Sequence, residues 1–234
     1  MSALTSIRSA ARWLSLGVGV AAATYGAYAA RTWHRYGQAE PPTFEERDRL
    51  LDQFMPVYDV VERHRVRVNA PAAVTLAAAC NMNLQESAVV RVIIRARELL
   101  LGATPVDRLR PRGLMAEMQS LGWGVLADVP EREIVVGAVT KPWEANVTFR
   151  SLPPDQFEAF SESDYVKIVW TLRVDAVSAT ESVLRTETRA RATDPQARTK
   201  FRRYWALFSP GIRLIRWASF GPVKRDAERR VARA

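Results

Sequence analysis

Residues 189–234 read RARATDPQARTKFRRYWALFSPGIRLIRWASFGPVKRDAERRVARA. Asp194-Pro195 is a helix start, an acceptor at the cap followed by Pro at the first helical position. Phe201, Tyr204, Trp205, Phe208, Ile212 and Ile215 then recur at helical spacing. The stretch reads as one long amphipathic helix with an aromatic stripe and a basic back, and Pro210-Gly211 predicts an interruption or kink in it. It carries thirteen Lys/Arg against three Asp/Glu, a balance of +10 that accounts for the chain's net charge of +9.

The residues in front of this helix alternate. Residues 182–193 place Arg185, Glu187, Arg189 and Arg191 on one face, predicted to be wet, while residues 165–174 place Val166, Ile168, Trp170, Leu172 and Val174 on one apolar face. Residues 157–160 read as a short strand. Residues 123–129 and 133–140 form a predicted hairpin around Pro130-Glu131-Arg132, after a short helix at 114–121. Glu117 on that helix and Glu144 after Trp143 are predicted to be solvated.

Further upstream, residues 58–68 end in strict alternation, with Arg63, Arg65 and Arg67 on one face and His64, Val66 and Val68 on the other. That predicts a half-buried strand with a solvated arginine edge and a core-facing histidine. Asn69-Ala70-Pro71 opens a helix over 72–80, and a second helix over 85–101 stops at Gly102. The order is strand, two helices, a meander of antiparallel strands and a long terminal helix.

VYDVVERHRVRVNAPAAVTLAAA at 57–79 and ETRARATDPQARTKFRRYWALFSPGIRLIRW at 187–217 resemble the START-like, or SRPBCC, superfamily of polyketide cyclase/dehydrase and lipid-transport proteins, in its uncharacterised bacterial branch. The resemblance covers residues 57–217 and implies an α+β helix-grip fold, a curved antiparallel sheet wrapped around the C-terminal helix. It also implies an apolar cavity between the two that binds a hydrophobic small molecule or lipid, lined by Trp170, Phe201, Tyr204, Trp205 and Phe208. The competing reading of the same stripe is ordinary core packing, because a helix buries such a face in any case. Two alternatives stay open, a cyclase/dehydrase-like enzyme of the same fold and a structural or partner-binding protein with no ligand. No catalytic constellation and no cofactor motif is recognisable, so no catalytic residue is carried over.

Composition narrows the field. With 234 residues, 48% apolar and 25% charged, the chain fits one globular domain plus an appendage. Cys80 is the single cysteine, which excludes an internal disulfide and any C-x-x-C motif, and its Ala-rich setting predicts an inert thiol. His34 and His64 are the only histidines and no H-E-x-x-H pattern surrounds them, so no metal site is expected. Thirty of the 34 basic residues are Arg, a skew that GC-rich codons explain. No RNP, KH or zinc-finger pattern accompanies it, and no nucleic-acid partner is expected.

The N-terminus predicts a membrane address. Residues 13–30 carry no charge, and at about 1.5 Å per residue a helix of that length spans roughly 27 Å, close to a bilayer core. Leu14, Leu16, Val18 and Val20 supply the apolar surface and Trp13, Tyr25 and Tyr28 the interfacial aromatics, with Arg8, Arg12, Arg31 and Arg35 flanking. The predicted organisation is a single-pass anchor at 1–35, a linker at 36–54 and a START-like domain with a basic tail at 55–234. The sequence leaves the side of the membrane open. The alternatives are a signal peptide cut after Ala27-Tyr28-Ala29, giving a secreted or periplasmic protein, and a soluble surface helix. Arg202, Arg203, Arg213, Arg216, Lys224 and Arg225 on the basic back are the expected contacts to anionic lipid.

Overall fold

The computed structural model describes residues 2–104 and 111–233, with side chains described at all of these except 2–16 and 18. Seven α-helices are described: α1 (Ser2–Arg35), α2 (Arg49–Phe54), α3 (Ala72–Cys80), α4 (Ala88–Leu101), α5 (Leu114–Ser120), α6 (Pro154–Phe157) and α7 (Pro195–Val231). Six strands accompany them: β1 (Val60–Val68), β2 (Gly124–Val129), β3 (Glu133–Thr140), β4 (Phe149–Arg150), β5 (Val166–Ala176) and β6 (Ser182–Ala192). They form one antiparallel sheet in the order β1-β6-β5-β3-β2, with β4 paired to β3. The architecture is α+β, a curved sheet with a long C-terminal helix across one face, consistent with a helix-grip arrangement.

Register decides what α7 meets. The pairing sets Val60, Glu62, His64, Val66 and Val68 of β1 opposite Ala190, Thr188, Thr186, Leu184 and Ser182 of β6, and the same rows continue through Ile168, Trp170, Leu172 and Val174 of β5. The apolar face predicted for β5 is therefore the inner one. Trp170, Leu172 and Val174 pack with Leu76 and Ala79 of α3 and with Val223 and Ala227 of α7. At the other end of α7, Phe201 and Trp205 pack with Tyr36, Val60, Val166 and Ala190.

The helix ends follow from local chemistry. Asp194 Oδ1 accepts from the backbone N–H of Gln196 at 2.7 Å and of Ala197 at 2.9 Å, as its place before Pro195 predicts. Gly102 ends α4 at φ 69°, the left-handed region that favours glycine. In contrast to the predicted interruption, α7 runs unbroken through Pro210 and Pro222. Pro210 has no N–H to donate to the Ala206 carbonyl one turn back; beside this point the Leu207 carbonyl accepts from the Tyr25 hydroxyl of α1.

Two other expectations are corrected. Residues 157–160 are not a strand, because Pro153-Pro154 starts a one-turn helix, α6, that buries Phe157. The face of β6 predicted to be wet is covered at Glu187 and Arg189, partly so at Arg185, and exposed as expected at Arg191. Residues 36–54, expected as a linker, lie against the molecule: Tyr36 is buried beside Phe201, and Leu51 and Phe54 join Met55, Val135, Phe157 and Val169 in a cluster on the outer face. Arg189 and Glu187 are buried beneath this cover.

The expected transmembrane helix has no counterpart among the described residues, where no helix is long and apolar enough to cross a membrane. The side chains of Trp13, Leu14, Leu16 and Val18 lie outside the described residues. Val20 and Tyr25 are exposed, while Tyr28 is half-buried with its hydroxyl 3.1 Å from Ser209 Oγ. The C-terminal half of α1 thus runs along α7 through Tyr25, Tyr28 and Trp33.

Candidate functional site

A groove of about 1060 Å³ lies between residues 81–89, the α3–α4 connection, and the C-terminal half of α7. Val66, Met82, Leu84, Val89, Trp217 and Phe220 are among its walls. The local sequence explains the gap. Asn81 ends α3, and Asn83 caps a short 3-10 turn before Ser87 caps α4, so the chain turns outward where a continuous helix would have closed on α7. Trp217 is 73% exposed, which leaves an indole face open at the mouth.

His64 lies at the floor of the groove, and behind it stands a polar cluster set into an otherwise apolar sheet face. Arg213 binds Glu62, with Nε and Nη2 each 2.7 Å from Oε1. His64 Nε2 is 3.8 Å from Glu62 Oε2 and is buried with no hydrogen-bond partner. Opposite His64 in register is Thr186, only 5% exposed, whose Oγ1 is also buried without a partner. Arg216 donates through Nη2 to Thr188 Oγ1 at 3.0 Å and stands over Trp170, its guanidinium carbon 5.2 Å from the ring centroid.

Burial sets the charge states here. Glu62 is pushed up by burial against the opposing pull of Arg213. His64 is pushed down by burial and then by Arg216 and Arg213, which favours the neutral ring. Burial lowers Arg216 to about 10. No described carboxylate forms an ion pair with Arg216. Cys80 is raised to about 11 by burial and by Asp128, so it stays a thiol at neutral pH. The described residues include no group of three or more His, Cys, Asp or Glu placed to hold a metal ion.

A second opening, about 200 Å³, lies on the outer face among Glu46, Asp48, Arg63, Arg65, Arg173 and Arg185. Its charges are largely paired, with Arg173 against Asp48 and Asp175 and Arg185 against Asp175 and Glu45, while Nε of Arg173 is buried without a hydrogen-bond partner.

Of the residues expected to line a cavity, Phe201, Tyr204, Trp205 and Phe208 are brought together in ring contact and Trp170 lies apart from them. Phe201 and Trp205 sit in the packed cluster with Tyr36, and Trp170 sits in the main core with Trp123 at 6.3 Å. Tyr204 and Phe208 are half-buried and stacked at 4.9 Å, and Arg97 Nε donates to the Tyr204 hydroxyl at 3.3 Å. None of the five lines the groove. Glu144 is exposed as expected, whereas Glu117 is buried and accepts from Gln85 Nε2 at 2.9 Å.

The basic residues divide. Arg202 donates to the Trp33 carbonyl and stacks on its ring at 4.2 Å, Arg213 and Arg216 turn toward the sheet, and Lys224 lies 3.8 Å from Glu228. Arg203 and Arg225 are exposed. A signal for the inward cluster stands in the sequence: Arg216 is four residues from both Ile212 and Phe220, on the buried stripe, and Glu62 shares the parity of Val60 and Val66.

No family model matches the chain, and no curated protein matches it. Three solved structures are similar. A hypothetical protein from Helicobacter pylori superposes with a TM-score of 0.39 at 7% identity, over 80% of this chain and 99% of that one. The Zhui aromatase/cyclase from Streptomyces sp. R1128 gives 0.27 at 15% identity, over 73% and 94%. The di-domain ARO/CYC BexL from the BE-7585A biosynthetic pathway gives 0.24 at 14% identity, over 72% and 46%. Likeness at this level carries no argument about ligand or chemistry.

Proposed function

We propose that the protein binds a hydrophobic small molecule or lipid in the groove beneath the C-terminal half of α7. The observation that carries this reading is the groove itself, whose volume of about 1060 Å³ suits a ligand of lipid size. Its lining is mixed, with Val66, Met82, Leu84 and Phe220 beside polar and charged side chains such as Asn83, Arg225 and Asp226, a composition that suits a molecule with both an apolar body and a polar end. The test is mass spectrometry of a solvent extract of the purified protein, with binding of the neutral apolar probe N-phenyl-1-naphthylamine to an extracted sample. Trp217→Ala should weaken the probe by roughly tenfold, since burying a large apolar side chain against a ligand contributes on the order of 1.5–3 kcal/mol. Because Trp217 is exposed, Tm should hold. Equal probe binding by wild type and Trp217→Ala, with an empty extract, would remove the groove as the site.

A cyclase/dehydrase-like reading is favoured by one feature, the neutral His64 beside Glu62, whose opposed shifts suit proton transfer. The same extract separates the two, because an enzyme releases its product and a carrier retains its ligand.

Membrane association through α1 is the second part of the proposal. It is supported by the uncharged stretch at 13–30 and by the exposure of Val20 and Tyr25 on the helix. Anchoring predicts that the full chain stays in alkaline-carbonate-washed membranes, while a chain lacking residues 1–24, which keeps the turns docked on α7, washes off. Release of the full chain by carbonate would rule out a spanning anchor.

A further inference from the structure

We propose that the polar cluster behind His64, at the wall of the groove, is a carboxylate site, in which Arg216 receives the acidic head of an amphiphilic ligand whose apolar body lies along Met82, Leu84 and Phe220. This rests on the reading of the groove as the ligand site and adds the head-group chemistry that the site selects.

The case begins with an imbalance of charge. Arg213 and Arg216 both face the sheet beneath α7, and Glu62 is the one carboxylate described with them. Arg213 takes that carboxylate through two nitrogens. Arg216 is left with a hydroxyl, Thr188 Oγ1, as its hydrogen-bond acceptor. A guanidinium has five N–H donors, and holding it away from water without a counter-charge is unfavourable. Trp170 takes one flat face of the guanidinium, which leaves the in-plane donors, the set that matches a carboxylate in a forked geometry.

Two further atoms point to the same missing group. His64 Nε2 and Thr186 Oγ1 are directly opposite in register, and both are buried without a hydrogen-bond partner. Buried polar atoms are rarely left so, and each one calls for an explanation. A hydroxyl and an imidazole can each donate to a carboxylate oxygen, so one acidic group beside Arg216 would satisfy all three. His64 belongs both to this cluster and to the groove wall, and it links the head-group site to the apolar channel. Phe220, whose ring centroid is 6.3 Å from that of His64, marks where the polar floor gives way to the apolar wall. The exposed Arg132 and Arg203, outside the groove, stand in water, where a guanidinium needs no such partner.

The experiment compares cis-parinaric acid with its methyl ester by fluorescence titration of the full chain. Wild type should bind the acid at least tenfold more tightly than the ester. Arg216→Gln should bring the acid down to the ester's affinity and leave the ester unchanged, and Thr188→Val should produce part of that loss. The double variant Arg132→Gln/Arg203→Gln, which removes comparable positive charge from the surface outside the groove, should keep the ratio of acid to ester. Equal affinity of wild type for acid and ester overturns the carboxylate site while the apolar groove stands. Loss of the preference in the surface double variant overturns it equally, because surface charge would then account for the selection. Failure of wild type to bind either probe overturns the groove reading together with it. The wild-type comparison needs no variant to fold.

Discussion

Arg189→Ala is expected to lower the unfolding free energy by about 3–5 kcal/mol, the usual cost of removing one partner from a buried ion pair. For a chain of this size that is a fall in Tm on the order of 10 °C. Arg189 is 1% exposed and joins three segments. Its Nε donates to Glu187 Oε1 at 2.7 Å on the same strand. Its Nη1 donates to Asp52 Oδ1 at 2.6 Å and to the Met55 carbonyl at 2.8 Å, and the guanidinium lies 4.7 Å from the centroid of the Tyr58 ring. Truncation leaves the Glu187 carboxylate buried, with Arg63 at 3.1 Å as its remaining ion-pair partner, and unties residues 52–58 from the sheet. Two readouts follow, a lower Tm and new proteolytic cleavage within residues 36–58. Arg189→Lys should recover little, because an ammonium cannot reach three acceptors in the directions that the guanidinium does. Arg189→Met combined with Glu187→Gln should recover only part of the loss, since the second change leaves Arg63 without its carboxylate partner. A wild-type Tm in Arg189→Ala would show that the cover is held by its apolar contacts through Leu51 and Phe54 alone.

This residue also shows where sequence reading succeeds and where it stops. Alternation assigns Arg185, Glu187, Arg189 and Arg191 to one face of β6 and Trp170, Leu172 and Val174 to one face of β5, and the structure has both sets together. The period of two says which side chains share a face, but not whether that face is covered. The cover comes from residues 36–58, whose Pro41-Pro42 and dense charges resemble a linker by composition. Its charges are in fact partners for the sheet: Asp52 for Arg189 and Asp48 for Arg173. The start of α7 and the stop at Gly102 are legible because one residue's backbone chemistry decides each. The groove is harder to see, since it is the space left by two capped turns at 81–89 and depends on where α7 passes over them. Arg216 is legible by spacing, yet the count of basic residues hides it, because charge on a helix is ordinarily solvated.

The second large effect is a pH dependence centred on Glu133, which is buried beneath the same cover. Burial, followed by a hydrogen bond and charge repulsion from the Asp48 carboxyl, pushes Glu133 from 4.5 up to about 8, against the pull of Thr171 and Arg173. Thr171 Oγ1 donates to Glu133 Oε1 at 3.0 Å. The unfolded chain releases this proton near 4.5, whereas the folded chain holds it to about 8. Between those values the folded state binds the extra proton, so stability falls as pH rises through the window and levels off above it. At about 1.4 kcal/mol per pH unit the loss reaches on the order of a few kcal/mol. His64 contributes the opposite slope. Its folded value is depressed below 6.5, so stability is lost as pH falls through that region and the unfolded chain takes up a proton that the fold resists. Glu62, also raised, adds to the slope of Glu133. Glu133→Gln keeps an acceptor for Thr171 and offers an amide N–H to Asp48, and it removes the titration. Urea midpoints at pH 5.5, 7.0 and 8.5 should therefore decline more shallowly with rising pH in Glu133→Gln than in wild type, with the variant the more stable protein at pH 8.5 and the decline toward acid unchanged. Parallel curves for the two proteins would mean that Glu133 ionises at an ordinary value and that water or Arg173 reaches it beneath the cover.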